Sequence, residues 1–341
     1  MRAQKSNPRN WYLPIILFAT GIGIGYLPSQ HLSPSPFQND DMSRSGGYEF
    51  VNPLLSCDIS EDNPYRDYKP FRQQLQSTID KLIAKGAITR GSIYFRDMNH
   101  GYWTGVNEDD AFIPASLMKV PLMIAYLKES EGDRSLLQKR LFLPNETDGN
   151  TEEIFKPSTP LSLGSSYSIQ QLVSAMIEQS DNNAAAALNK AVATNTIDDV
   201  YGEFGVPVPV DENTPAATPK TYMRFFRILY NASYLWRGDS KTALEMLAQT
   251  NFKDGLVAGM PVDILISHKF GERTVNTLNT SSGQTSVTTK QLHDCGIVYY
   301  PRSPYGICIM TEGTDFVQMK KAIAQLSNVA YTAVQNGLLQ K

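Results

Sequence analysis

The chain has 341 residues, 41% of them hydrophobic and 19% charged, which suits one or two globular domains with a large core. A net charge of -3 supplies no basic field for nucleic acid, and no block of like charges marks an acidic partner. Three cysteines, Cys57, Cys295 and Cys308, are too few for a disulfide scaffold and lack metal-ligand spacing with the four histidines, so no metal or other cofactor is implied.

Residues 1–10 carry Arg2, Lys5 and Arg9 without an acid, and residues 11–27 follow as an uncharged, mostly apolar run just long enough to span a bilayer. The positive flank is expected to stay in the cytoplasm, which places everything after Leu27 outside it. No small-x-small cleavage site precedes Ser29, so the run reads as an uncleaved membrane anchor; the competing reading is a cleaved signal and a secreted protein. Leu54-Leu55-Ser56-Cys57 has the form of a lipidation box but lies too far from the apolar run to serve as one. Residues 28–64, rich in Pro, Ser, Asn, Asp and Gly, read as a flexible extracytoplasmic linker, which leaves residues 65–341 as the folded body.

Leu75, Ile79, Leu82 and Ile83 recur at helical spacing from Phe71 until Gly86. Residues 92–96 and 101–106 then read as two short strands with a tight connection near Asn99. Residues 117–128 are apolar nearly all round, as in a helix that crosses a core, and Pro121 is tolerable there only within the first turns because its missing amide leaves the Leu117 carbonyl free. Residues 144–167 form a polar loop. Ser168-Ile169-Gln170-Gln171 is a capping box opening a helix to about Gln179; an Ala-rich helix spans residues 183–192, and Thr218-Pro219 starts another through Phe225, Ile228 and Leu229. Strands are expected at residues 262–268, with Ile264 and Ile266 on one face, and as a hairpin at 297–300 and 307–311. Cys295 and Cys308 flank its turn, either facing each other across it or lying as two buried thiols. Asp315 caps a final helix with Phe316, Met319, Ile323, Leu326, Ala330 and Ala333 in one stripe. The order predicts an α+β fold: an antiparallel sheet flanked by N- and C-terminal helices, with an all-helical subdomain beside it.

Within this frame three motifs carry chemistry. In Ser116-Leu117-Met118-Lys119 a helix start puts residues i and i+3 on one face, so the Lys119 amine stands beside the Ser116 hydroxyl, and apolar neighbours favour its neutral, proton-accepting form. Alone, a Ser and a Lys so spaced arise by chance roughly once in a chain of this length. Ser180-Asp181-Asn182 lies between two helices, where a short turn presents polar groups to a cleft, although Asn182 is also a good N-cap for the helix that follows. Lys269-Phe270-Gly271 ends the expected strand, where the lysine offers charge to a carboxylate and the glycine lets a substrate backbone lie close.

Ser-x-x-Lys, Ser-Asp-Asn and Lys-x-Gly in this order resemble the class A β-lactamase family of penicillin-recognising serine hydrolases, with the β-lactamase/transpeptidase-like fold. The resemblance runs from about Phe71 to the end and includes Asp254-Gly255-Leu256-Val257 and His293-Asp294-Cys295-Gly296. It implies that Ser116 is the nucleophile, Lys119 its proton acceptor and Ser180 a proton relay to the leaving nitrogen. It implies too that Asn182 holds the substrate amide, that Lys269 attracts a substrate carboxylate, that Gly271 lets the substrate approach, and that the backbone amides of Ser116 and Glu272 form an oxyanion hole. The implied substrate is a β-lactam or the D-alanyl-D-alanine end of a peptidoglycan stem peptide.

Two departures qualify the match. Phe270 stands where the family has Thr or Ser, which removes a hydroxyl from the carboxylate site. No glutamate in a Glu-x-x-Leu-Asn setting lies between the second and third motifs to activate a deacylating water; Glu203, Asp211 and Glu212 are the acids nearby, each read as a solvated surface carboxylate. These departures raise two alternatives: a penicillin-binding D,D-carboxypeptidase with slow β-lactam turnover, and a non-catalytic cell-wall binding module.

Overall fold

The computed structural model describes residues 42–44, 46–57, 68–209, 214–279 and 285–339. Residues 11–27, Asp211 and Glu212 lie outside the described residues, and among the described residues no helix is long and apolar enough to cross a membrane. A short antiparallel pair, β1 (Met42–Arg44) and β2 (Leu54–Cys57), precedes helix α1 (Lys69–Ala84) and the hairpin β3 (Arg90–Asp97) and β4 (Trp103–Val106). A 3-10 turn, Ala115–Met118, runs into α2 (Lys119–Ser130). The small pair β5 (Arg140–Phe142) and β6 (Ser166–Ser168) brackets a long loop. Then come α3 (Ile169–Glu178), α4 (Asn182–Ala191), α5 (Thr194–Glu203), α6 (Pro219–Asn231) and α7 (Arg237–Ala248). The chain ends in β7 (Ile266–Asn279), β8 (Thr285–Val298), β9 (Tyr305–Gly313) and α8 (Phe316–Gln335).

Five strands make one antiparallel sheet in the order β4-β3-β9-β8-β7. Its two faces are buried in different company. On one, the stripe Phe71, Leu75, Ile79 and Leu82 of α1 and the stripe Phe316, Met319, Ile323, Leu326 and Ala330 of α8 meet Ile93, Phe95, Ile307 and Ile309. On the other, α2, α3, α4, α6 and α7 close around Met123, Ile124, Leu172, Met176, Leu188, Phe226 and Leu244. Each fully buried Leu or Ile here contributes about 1.5–3 kcal/mol. The expected layers are therefore the observed ones, and α2 crosses the core as its all-round apolarity predicts: Val120 to Leu127 are all buried. Pro121 falls in the first turn of α2, and the Leu117 carbonyl it leaves free accepts the Tyr222 hydroxyl of α6 at 2.8 Å.

Several boundaries differ from expectation, each for a physical reason. The strand expected at residues 262–268 is β7, and Val262 is fully exposed ahead of it. Lys269-Phe270-Gly271 thus lies near the start of the strand and does not end it. Beyond Lys290, β9 no longer pairs with β8, so residues 274–279 and 285–289 form a two-stranded ribbon outside the sheet and need no apolar alternation. Helices α5 and α7 were not signalled; α7 opens on Arg237-Gly238-Asp239 with no side-chain cap and buries only Asp239, Ser240, Ala243, Leu244 and Leu247. The expected flexible linker also ends early. Val51 and Phe50 are buried, the Asn52 amide donates to the Tyr230 carbonyl at 2.8 Å, and Arg44 bonds the Asn231 side chain at 2.9 Å. Two apolar residues in a Gly- and Ser-rich stretch suffice to dock it.

Cys295 and Cys308 are directly opposite in the β8–β9 register and are disulfide-bonded, which settles the two alternatives their spacing allowed.

Candidate active site

The turn that carries Ser116 is held from behind by β8. The Ile113 amide donates to Gln291 Oε1 at 2.9 Å, and the Ile113 carbonyl accepts from His293 Nε2 at 2.9 Å. Ala115 follows at φ +49°, a left-handed conformation costly for a residue with a Cβ, and the chain enters the 3-10 turn with Ser116 half-buried. Gly271 of β7 is the contact on the open side: a Cβ there would lie 2.9 Å from the Pro114 carbonyl oxygen and 3.2 Å from the Leu117 amide nitrogen. Only glycine lets the edge strand come this close to the turn. Because β7 is the outer strand, the amides on its second edge are not used by the sheet.

Ser180 sits at φ +56° between α3 and α4. The helix cap is Asp181, whose side chain accepts from the Ala184 amide at 2.9 Å, and not Asn182. This leaves the Asn182 side chain for the cleft. Lys119 Nζ donates to Asn182 Oδ1 at 2.6 Å, to the Ser180 carbonyl at 2.6 Å and to Ser180 Oγ at 3.2 Å. From β7, Lys269 Nζ donates to the same Ser180 Oγ at 2.9 Å and to the Phe270 carbonyl at 3.0 Å. One hydroxyl therefore bridges two buried ammonium groups.

Burial holds Lys119 at about 8, against the pull of Glu153, Asp181 and Glu272, which favour its charged form. Lys269, fully buried, is pushed well below the usual lysine range by desolvation and then by the Lys119 charge. Behind them Asp294 accepts from the Leu256 amide at 2.9 Å and pairs with His268 Nδ1 at 2.8 Å; a Cβ on Gly255 would strike its carboxylate at 2.4 Å. The Asp254-Gly255-Leu256 and His293-Asp294 segments are thus one support under β7.

The loop at residues 148–155 crosses the cleft from one wall to the other. On the α4 side, Asn150 Oδ1 accepts from the Asn182 amide at 2.8 Å, its Nδ2 donates to Asp181 at 3.3 Å, and Asn183 bonds both the Gly149 amide and Asp148 at 2.8 Å. Glu153 Oε1 accepts from Asn182 Nδ2 at 2.6 Å. On the β7 side, the Glu272 carboxyl accepts from the Phe155 and Ile154 amides at 2.8 and 3.3 Å. Burial and then a hydrogen bond to Glu153 raise Glu272 to about 8. The Phe155 ring stands edge-on to Phe252, Phe270 and Phe316, with centroids 4.9, 6.0 and 5.8 Å away. Phe270 itself stacks on Phe252 at 4.3 Å. The residue that replaces a family hydroxyl is a wall of the socket that receives this loop.

The structure brings Lys119, Ser180, Asn182 and Lys269 into one hydrogen-bonded cluster and sets Gly271 against the Ser116 turn. Phe270 joins the aromatic core through Phe252 and Phe155, and the Lys269 amine of that cluster lies over its ring, 4.3 Å from the centroid. Glu203 is exposed at the end of α5, as read. The carboxylates found at the site are instead Glu153 and the Glu272 side chain. Glu272 was singled out only for its amide, and Glu153, Asn150 and Phe155 lie in a polar loop without periodicity, where no sequence signal marks them.

The model of the β-lactamase enzyme family matches residues 74–334. Among solved structures, one described as PBP-A superposes with a TM-score of 0.64 at 20% identity, covering 79% of this chain and 97% of that one. A β-lactamase from Xanthomonas campestris gives a TM-score of 0.64 at 19% identity over 77% of this chain and 98% of that one. A variant of the class A β-lactamase of the last common ancestor of Gram-negative bacteria gives 0.62 at 19%, over 77% and 99%. At these identities the superpositions speak for the fold, while no curated protein matches the sequence. With a family match over most of its length and the fold to go with it, this chain belongs to the β-lactamase enzyme family and is a β-lactamase-like serine hydrolase.

Proposed function

We propose that Ser116 forms an acyl-enzyme with a β-lactam or with the D-alanyl-D-alanine end of a peptidoglycan stem peptide, and that the acyl group leaves slowly. Ser116 Oγ bonds to the carbonyl carbon and loses its proton to neutral Lys119. The C–N bond breaks as a proton passes through Ser180 to the leaving nitrogen, and the amides of Ser116 and Glu272 receive the oxyanion. The observation that carries this reading is the Ser180 hydroxyl, 3.2 Å from the Lys119 amine and 2.9 Å from the Lys269 amine, which is the wiring such a relay needs. Slow release is read from the sequence, which has no glutamate in a Glu-x-x-Leu-Asn setting between the second and third motifs to activate a deacylating water. A solved relative is described as an acyl-enzyme complex of a PBP-A mutant with penicillin G, and the same adduct is the product to seek here.

The test is intact-protein mass spectrometry after exposure to a reporter penicillin, beside turnover of a chromogenic cephalosporin. A stable adduct of one penicillin, absent in Ser116→Ala, is expected; fast turnover makes the protein an efficient β-lactamase, and neither adduct nor turnover refutes the acyl-enzyme. The second reading, a non-catalytic wall-binding module, draws on the loop that already occupies the Asn182 donor. It requires Ser116→Ala to leave peptidoglycan binding and cellular function unchanged.

We also propose that residues 11–27 anchor the protein with its body outside the cytoplasm. The Cys295–Cys308 disulfide supports an oxidising compartment. Recovery of the full chain in the soluble cytoplasmic fraction would refute the anchor.

A further inference from the structure

At the opposite edge of the sheet from Ser116, β3, β4 and α6 form an open cavity of about 160 Å³ lined by Tyr94, Arg96, Trp103, Lys220, Met223, Arg224 and Arg227. Its lining has four cationic side chains and no carboxylate. Lys220 reaches outward to Asp109 at 3.1 Å, and Arg224 spends one guanidinium nitrogen on the Phe204 and Gly205 carbonyls at 2.7 and 3.0 Å. Arg96 donates to the Tyr94 hydroxyl at 3.3 Å. Arg227 makes no hydrogen bond or ion pair among the described residues, although it is half-buried. Desolvation and then the Arg96 and Arg224 charges hold it below the usual arginine range. Three guanidinium groups turned toward one cavity repel one another, and partial burial keeps water from screening them, so an unfilled cavity is the unfavourable state. Guanidinium forks match tetrahedral oxyanions, and a dianion offsets more of this charge than a carboxylate does. The stacked rings of Tyr94 and Trp103, 5.5 Å apart, form an apolar wall beside the charge, which suits a phosphate carried on a larger apolar group.

We propose that this cavity binds a phosphate dianion, free or as the monoester headgroup of a lipid, through Arg96, Arg224 and Arg227. The site is independent of the acyl-enzyme reading: it lies at β4, and the chemistry lies at β7.

The experiment is thermal unfolding of the full chain in detergent at constant ionic strength. It is titrated separately with chloride, acetate, inorganic phosphate and a short-chain phosphatidic acid kept below its micelle concentration. Phosphate is expected to raise Tm saturably, and chloride and acetate to leave it unchanged. Arg227→Gln is expected to weaken the phosphate midpoint at least tenfold while its Tm without phosphate equals or exceeds that of the parent, because one of the mutually repelling charges is gone. Arg96→Gln repeats the test should Arg227→Gln fold poorly. Phosphatidic acid binding tenfold or more tighter than inorganic phosphate assigns the ligand to a lipid headgroup, and equal binding assigns it to free phosphate. An acetate response equal to that of phosphate, no saturable response to either phosphate probe, or unchanged affinity in both variants overturns the proposal. Penicillin labelling of Ser116 is expected to be the same in parent and variants.

Discussion

The two edges of one sheet hold their cations in opposite ways. At β7, Lys119 and Lys269 are buried, yet Ser180, Asn182 and the Phe270 carbonyl accept from them, and Glu153, Asp181 and Glu272 lie within electrostatic reach. At β4, Arg96, Arg224 and Arg227 share a cavity that no carboxylate lines. The first arrangement is internally complete, as the proton transfers proposed for it require. The second is left unbalanced, and an external anion is what would complete it. Burial alone does not mark a site's role; what the buried charge is matched with does.

The sharpest break between the edges is Ser116→Ala. It should abolish penicillin adducts, a loss of at least about a thousandfold, without touching the phosphate response. A smaller effect is expected at the support of the Ser116 turn. His293 is neutral, held at about 4 by burial, and donates from Nε2 to Ile113, while its Nδ1 has no partner among the described residues. Its folded value is depressed below the unfolded value near 6.5, so the unfolded chain binds the extra proton first. Stability therefore falls as pH drops from about 6.5 toward about 4, by about 3 kcal/mol at most for this group. His293→Gln should flatten that slope in pH-dependent denaturant melts; an unchanged slope would remove His293 as its source.

Acylation itself should follow Lys119. With the amine at about 8, its neutral form is a minority at pH 7 and gains roughly tenfold per unit below that value. The acylation rate of the reporter penicillin should rise from pH 6 and level off near 8. A flat profile would mean that Lys119 is not the base, and the contrast with the β4 edge would lose its chemical half.

The parts of this molecule that were legible in sequence are those written by local chemistry. The Ser168–Gln171 capping box and the α8 stripe each carry their own signal and form as read, and the α1 stripe forms with Ile83 left exposed, whereas the Ser-x-x-Lys segment opens as a 3-10 turn whose lysine bonds Ser180 and Asn182. What escaped was set by distant partners. Glu153 and Phe155 look like loop residues until Asn182 and the Phe252–Phe270 stack meet them. The basic cavity escaped for another reason. A net charge of -3 averages over the chain, whereas Lys220, Arg224 and Arg227 fall on one face of α6 and find Arg96 only through the β3–α6 packing. Their two spacings along α6, four residues and then three, are helical, so three of the four cations were readable there as one face.

The smallest expected effect bears on why the β7 edge is complete. Asn182 Nδ2, the donor assigned to the substrate amide, is already bonded to Glu153 and to the Gly149 carbonyl, at 2.6 and 3.1 Å. A substrate amide must take that donor from Glu153, and the anchor that keeps Glu153 in place is Phe155 in its aromatic socket. Phe155→Ala should therefore loosen the loop and raise the acylation rate several-fold, with a stability loss of about 1–2 kcal/mol because the ring is only partly buried. Glu153→Gln separates the loop's grip from its charge. It removes a carboxylate that favours charged Lys119, so the pH midpoint of acylation should shift downward, whereas Phe155→Ala should change the rate more than the midpoint. If both variants acylate at the parent rate at every pH, the loop does not compete with substrate, and the occupied donors at this edge are a resting arrangement that costs the reaction nothing.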